Sequence, residues 1–392
     1  MRSQDYDRLY LSPPHLGRHE LNYVHKAIED NWVAPVGPNI AGFEADICAA
    51  VGVPYCVAVN SGTAAIHLGL ILLGVGPGDE VLCPSFTFVA TANPILYLGA
   101  TPVFVDSEPD TWNLCPACLR EAIVDRIAKG KKPRALILVH LYGMPARLPA
   151  ILAVAREFDI PVLEDAAEAL GSEWEQQPLG GFGQVGVFSF NGNKILTTSG
   201  GGALVTYDRA LAEKAQFLAT QAKDEASHYQ HSEVGYNYRL SNILAGIGRG
   251  QMELLPERVK RRRQLFDWYR EHLAGLPGIS VALAPEPAGS RSNRWLTTIL
   301  LNPADPADSA ADAPAAPVIS PEALRLHLET RNIESRPLWK PLHLQPLFAA
   351  TPVYGGAVCA DLFTRGLCLP SGTAMTDGDL RRVKEALTEA LG

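Results

Sequence analysis

Along the first two-thirds of the chain, short apolar runs alternate with amphipathic stretches. The runs at 56–59, 80–83, 102–106, 135–140 and 161–164 are dominated by Val, Leu, Ile, Phe, Ala and Cys. Short, nearly continuous apolar runs suit strands buried on both faces. Between them, residues 63–74, 88–98 and 149–158 read as helices. The alternation predicts βαβ units, hence an α/β fold with a mostly parallel central sheet covered by helices. In such sheets ligands gather at the loops after the strands' carboxyl ends. That rule singles out residues 60–63, 84–88, 140–144 and 165–168.

The pattern changes near Leu255-Pro256. A long charged helix is predicted over 253–273, strands over 279–284 and 295–301, and helices over 321–330 and 377–391. Residues 302–317, rich in Ala, Pro and Asp, read as a surface insertion. The expected division is a large domain with an N-terminal arm over residues 1–255 and a smaller α+β domain over 256–392.

Composition narrows the function classes. The 392 residues carry 34 Lys+Arg against 42 Asp+Glu, a net charge of −8, with 47% hydrophobic residues. Disorder as the main theme is excluded, and an acidic chain argues against a nucleic-acid surface. The one dense basic run, Lys260-Arg261-Arg262-Arg263, lies in the predicted long helix and reads as its solvated face. Seven cysteines, some in apolar runs as Cys56 and Cys83 are, suit a reduced intracellular protein. Cys115-Pro-Ala-Cys118 is a lone CxxC and reads as two incidental thiols; no metal site is expected. Met1–Tyr10 is too polar for a secretory leader, and residues 66–75, the longest apolar stretch, are too few to span a bilayer. The expectation is a cytoplasmic protein with neither nucleic-acid nor membrane partners.

Three stretches carry candidate chemistry. Asn60-Ser61-Gly62-Thr63-Ala64-Ala65 joins a strand to a helix, where small residues and a helix N-terminus favour an anion; a plain N-cap explains it equally well. The strand at 161–164 runs into Asp165 and, three residues on, Glu168, and a strand-end carboxylate could hold a cationic ring nitrogen. Glu164 reads as a supporting or solvent-facing group. The stretch from Val185 to Gly202 passes from an apolar strand to Ser189, Asn191, Gly192, Asn193 and a single Lys194, then to three glycines. A lysine in such surroundings can act as a nucleophilic amine and form a Schiff base; simple pairing with a carboxylate is the alternative. Gly181 to Gly186 matches GxGxxG, but it leads into a strand, so it reads as a turn. Phosphate donors, a carboxylate for a pyridine nitrogen and an amine for an aldehyde are together what a pyridoxal phosphate site needs, and Phe86 or Phe88 could cover the ring.

These segments resemble the DegT/StrS family of sugar aminotransferases, which share the type I fold of pyridoxal-phosphate enzymes. The resemblance runs nearly end to end and includes residues 11–14, 31–38, 60–65, 84–88, 164–171, 188–202, 235–239 and 336–343. Residues 188–202 and 335–345 look most like the branch acting on UDP-linked 4-keto-6-deoxy-N-acetylamino sugars. The resemblance implies a catalytic pair, Lys194 as the Schiff-base lysine and Asp165 on the pyridine nitrogen. It places Glu168 near the ring's 3-hydroxyl, where many relatives carry Gln. It assigns Gly62, Thr63 and Ser189 to the phosphate, Phe88 to the ring face, and Asn237 to the partner subunit's phosphate in a homodimer with shared sites. Trp32, Ala34, Pro35, Arg239, Lys340 and His343 fall on the substrate side, although prolines around Lys340 and His343 also suit an ordinary surface loop.

The implied reaction is ping-pong transamination, from glutamate or glutamine to the C4 carbonyl of a nucleotide-linked 4-keto-6-deoxy sugar. GDP- or dTDP-linked keto sugars and a keto-inositol are alternatives. Three other readings compete. A pyridoxamine-dependent sugar dehydratase of the same scaffold carries His in place of the lysine. A non-catalytic sensor would not need the full Lys194, Asp165 and Ser189 set. A nucleotide-binding α/β enzyme would show GxxxxGK[ST], which is absent.

Overall fold

The computed structural model describes residues 7–302 and 319–392. The expected insertion over 302–317 lies outside them, Asn302 apart. Helices α1 (Glu20–Glu29) and α2 (Pro38–Val51) precede the first strand. The chain then alternates through β1 (Tyr55–Val59), α3 (Gly62–Leu72), β2 (Glu80–Pro84), α4 (Asn93–Tyr97), β3 (Thr101–Val105), α5 (Pro116–Ala128), β4 (Ala135–Val139), α6 (Leu148–Glu157) and β5 (Val162–Asp165). A hairpin of β6 (Glu173–Trp174) and β7 (Gln177–Pro178) leads to β8 (Val185–Ser189), β9 (Gly202–Thr206), α7 (Arg209–Ala219), α8 (Asn242–Met252) and α9 (Leu255–His272). The remainder holds β10 (Ile279–Val281), β11 (Ser290–Arg291), β12 (Thr297–Leu301), α10 (Pro321–Thr330), β13 (Arg336–Pro337), β14 (Val353–Tyr354), α11 (Ala357–Arg365), β15 (Gly366–Leu369) and α12 (Asp377–Leu391).

The large sheet has the order β1-β9-β8-β5-β4-β2-β3-β14. Only β9 runs against the others, so the mostly parallel sheet read from the alternation is present. Its apolar side chains divide by the two-residue period of a strand. Leu136, Leu138 and Val162 join one core with α2, α5 and α6. Ala135, Ile137, Val139, Leu163, Val185 and Val187 join another with α3 and α7. The same period sends Asp165 and Ser189 to the α3 side and Glu164 to the opposite side. A second sheet, β10-β12-β15-β13, shares a separate core with α9, α10 and α12. From the C-terminal part, β14 returns to pair with β3 at the edge of the large sheet.

Two expectations change. Residues 88–98 form a 3-10 turn, Val89–Thr91, and then the short α4, with Pro94 at its start because proline cannot continue the preceding turn's hydrogen bonds. The basic run in α9 is not simply a solvated face. Arg262 is buried, and Arg263 pairs with Glu286 at 2.7 Å.

Glu164 has no exposed surface, so its charge needs partners. The backbone N–H groups of Gly180, Phe182 and Gly183 donate to its carboxylate. The GxGxxG-like stretch is therefore a turn wrapped around the protein's own anion. On its other side His140 Nδ1 accepts the Ala146 N–H at 3.0 Å, leaving Nε2–H to donate to Glu164 at 2.9 Å. This clamp fixes the C-terminal end of β5, where Asp165 begins the site. Glu164→Gln sets an amide N–H₂ among these donors. It should lower unfolding free energy by roughly 3–5 kcal/mol, measured by urea denaturation.

Candidate active site

All the large-sheet strands except β9 end on one edge, and there the ends and loops of β1, β2, β4, β5 and β8 line a cavity of about 280 Å³. Among the described residues, the charged groups lining it are Asp165, Glu168 and Lys194.

One end is built by close backbone approach. Ser61 caps α3 by accepting the Ala64 N–H at 3.0 Å, which leaves the Gly62 and Thr63 amides and the Thr63 hydroxyl without that cap. A Cβ on Gly62 would lie 2.9 Å from Cβ of Ser189, and one on Gly202 would lie 2.5 Å from the Gly62 nitrogen. Only glycines let β8, β9 and the start of α3 meet here. The result is a cradle of amides and hydroxyls at the N-terminus of an 11-residue helix, a donor set suited to a phosphate.

The other end is acidic. Asp165 accepts the Thr91 hydroxyl at 2.8 Å and the Ala167 N–H at 3.2 Å. Burial pushes its carboxyl above the usual range, against the pull of Thr91, Ala167 and Lys194. Glu168 accepts the Tyr142 N–H at 2.7 Å. Burial raises its carboxyl too, opposed by Lys194 and that N–H. Lys194 Nζ lies 3.5 Å from Glu168 and 4.2 Å from the Trp295 ring centroid. The alternative of simple carboxylate pairing is thus realised in part, inside the cavity that also holds Asp165.

Phe88 and Trp339 line the cavity with ring centroids 5.2 Å apart. Phe86 is buried against Trp112 instead, so of the two candidates for a ring face only Phe88 reaches the cavity. Gly62, Thr63, Phe88, Asp165, Glu168, Ser189 and Lys194 are therefore brought together.

The other candidates stand elsewhere. Arg239 pairs with Glu44 and donates to the Ala58 carbonyl at 3.1 Å, so its charge is spent within the chain. Asn237 is exposed, its carbonyl accepting from Asn60 at 3.2 Å. Trp32, Ala34 and Pro35 lie exposed on the arm, where Asn242 holds the Trp32 carbonyl at 3.0 Å. Lys340 is exposed. His343 Nδ1 lies 2.7 Å from Ser85 Oγ, and burial pushes its imidazole pKa down, which disfavours a cationic role. None of these seven lines the cavity.

Thr91, Tyr142 and Trp295 were not singled out by sequence reasoning. The strand-end rule reached the 140–144 loop but not which side chain mattered, and Thr91 lies beyond the loop it marked. Trp295 precedes a strand of the second sheet, with no local signal of proximity to Lys194.

The whole chain has close counterparts. A model of the DegT/DnrJ/EryC1/StrS aminotransferase family matches residues 14–388. EpsN of Bacillus subtilis (strain 168), provisionally named a pyridoxal phosphate-dependent aminotransferase, is 51% identical over 97% of this chain and 95% of its own. The GDP-perosamine synthase of Caulobacter vibrioides is 37% identical over 99% of each chain. The solved structure of DesI with its TDP-sugar product is 30% identical, with a TM-score of 0.84 over 99% of this chain and 94% of that one.

Thr91 stabilises the charged form of Asp165. Thr91→Val should cost roughly 1.5–3 kcal/mol of unfolding free energy at neutral pH. The penalty should fade as pH falls through the raised range in which Asp165 takes up its proton. Urea denaturation at several pH values tests this, and a penalty constant across pH would contradict it.

Proposed function

The chain belongs to the DegT/DnrJ/EryC1/StrS aminotransferase family, and on that premise we propose that it transfers an amino group from glutamate, or glutamine, to the C4 carbonyl of a nucleotide-linked 4-keto-6-deoxy sugar. It is a transaminase with the type I fold and uses pyridoxal 5'-phosphate. The glycine-built cradle beside a buried carboxylate and a lysine in one cavity is the observation that carries this reading. The residues present fit the cofactor: the Gly62 and Thr63 amides, Thr63 and Ser189 for its phosphate, Asp165 for its ring nitrogen, Glu168 near its hydroxyl, and Phe88 along its ring.

Bound pyridoxal phosphate supplies an aldehyde that exchanges amino groups and a ring that disperses carbanion charge. The protein supplies the rest. Lys194 Nζ would hold the aldehyde, and its free amine would take the α-proton of the amino donor. In the return half it delivers a proton to C4 of the sugar. The donor α-carbon is oxidised to the ketone of a keto acid as sugar C4 is reduced from ketone to amine, so the two changes balance with no outside oxidant or reductant. Asp165, buried and hydrogen-bonded, keeps a proton on the ring nitrogen. Glu168 and the Trp295 ring hold the free ammonium between them.

The reading extends to the assembly. Asn237, Trp32, Ala34, Pro35, Lys340 and His343 complete the phosphate and nucleotide-sugar contacts in a homodimer with shared sites. The cofactor is held by a large domain, residues 1–255, with residues 256–392 as a smaller domain whose Val353–Tyr354 strand crosses back. The setting is the cytoplasm, and no helix among the described residues is long and apolar enough to cross a membrane. On carrier identity, a UDP-linked N-acetylamino sugar is the reading of the sequence. A GDP-linked keto sugar is the second, favoured by the similarity to GDP-perosamine synthase.

Enzyme charged with pyridoxal phosphate and glutamate, then desalted, separates these carriers. One 4-keto-6-deoxy sugar among the UDP-, GDP- and dTDP-linked forms should yield one equivalent of 4-amino sugar by mass spectrometry. Amination of none of them, with a keto-inositol aminated instead, would overturn the sugar assignment. Lys194→Ala should lower turnover at least about a thousandfold, and unchanged turnover would remove the catalytic assignment.

A further inference from the structure

Behind Lys194 lies a chain of hydrogen bonds that have no part in the transamination scheme, although the Trp295 ring does. The Asn193 carbonyl, in the peptide bond that leads into Lys194, accepts two side-chain donors. Ser12 Oγ donates at 2.8 Å and Trp295 Nε1 at 2.8 Å. Ser12 has spent its one proton there, and its oxygen accepts from Arg262 at 2.7 Å. Arg262 also donates to the carbonyls of Trp295, at 2.8 Å, and Ser371.

Arg262 is only 2% exposed, and among the described residues none of its hydrogen bonds goes to a carboxylate. Burial lowers its pKa to about 9. A guanidinium held among neutral acceptors is costly to keep. Two of its three partners, Ser12 and Trp295, are the residues that hold the Asn193 carbonyl. Trp295 makes a second contact with the same lysine, since its ring face lies under Nζ at 4.2 Å while Glu168 stands 3.5 Å away. One indole thus touches both ends of the lysine: the peptide before it and the ammonium at its tip.

We propose that Ser12 and Trp295, braced by Arg262, are positioning residues that set where the Lys194 amine stands, an assignment that rests on the transaminase reading above. Covalent capture of an aldehyde, in which the neutral amine adds to the carbonyl carbon and the carbonyl oxygen leaves as water, needs the nitrogen at bonding distance and angle, and about 1 Å of misplacement can cost on the order of a hundredfold in rate. The three residues come from the N-terminal arm, α9 and the approach to β12. They tie the lysine's position to parts of the chain remote from it in sequence.

The test separates lysine placement from general damage. Ser12→Ala removes one donor to Asn193. Trp295→Phe removes the other while keeping a ring face. Arg262→Lys keeps the charge but loses the fork that reaches several acceptors. Pyridoxal phosphate is added to each cofactor-free protein, and the rate of the visible absorbance change on covalent capture is followed. Pyridoxamine phosphate, which has no aldehyde, reports binding without the lysine. The single variants should slow capture several-fold, and Ser12→Ala with Trp295→Phe together about a hundredfold. Affinity for pyridoxamine phosphate should stay within about twofold. In a Lys194→Ala background supplied with methylamine, the same substitutions should change the rate less than about twofold. Capture and pyridoxamine phosphate affinity falling together, or full effects persisting without Lys194, would overturn the assignment. A wild type that captures no pyridoxal phosphate would remove the cofactor reading and the positioning assignment with it, whereas normal wild-type capture with unaffected variants would remove the positioning assignment alone.

Discussion

Two buried carboxylates share one ammonium. Asp165 and Glu168 both line the cavity, and Lys194 is the one cation among its described lining residues. Burial raises both carboxyls because a charge away from water lacks solvation. Local donors pull them back: Thr91 and the Ala167 N–H on Asp165, the Tyr142 N–H and Lys194 on Glu168. With Lys194 assigned to Glu168, Asp165 stands with hydrogen bonds but no cation in direct contact. A protonated ring nitrogen supplies that charge, and the cradle at the far end of the cavity supplies amides and hydroxyls for an anion. A ligand with a cation at one end and a phosphate at the other fits this division.

The fold creates the imbalance through strand period and close approach. Consecutive residues Glu164 and Asp165 face opposite sides of the sheet. One carboxylate is therefore consumed by the 180–183 turn and His140, and the next is left for the site. The clamp on Glu164 stiffens the strand end that presents Asp165. On the neighbouring strands, Gly62 and Gly202 bring the start of α3 against Ser189 and β9. Both ends of the cavity therefore hang on the same parallel sheet, so their separation is set by backbone geometry instead of flexible side chains.

Much of this was legible in the chain. The apolar runs marked the strands, the strand-end rule marked the loops, and the residues around Lys194 and Asp165 marked the chemistry. What local pattern could not convey was contact between distant segments. Arg262 sits in a run of four basic residues that looks solvated, yet it is buried against Ser12 and the Trp295 carbonyl. Trp295 looks like the start of a strand, and only the fold sets its ring beneath Lys194. Phe86 and Phe88 are equivalent by spacing; packing against Trp112 buries one and leaves the other at the cavity. Arg239 reads as a substrate group by sequence, and the fold pairs it with Glu44 instead. Residues expected at the nucleotide sugar, Trp32 and Lys340 among them, lie exposed outside the cavity, a placement that no local pattern conveys.

The visible spectrum of the purified protein with pyridoxal phosphate, before and after glutamate, tests the central claim most directly. The account predicts an absorbance band on adding the cofactor, which then gives way to shorter-wavelength absorbance when glutamate donates its amine. No band, or a band indifferent to glutamate, would contradict the claim that this cavity joins cofactor, lysine and amino donor in one reaction.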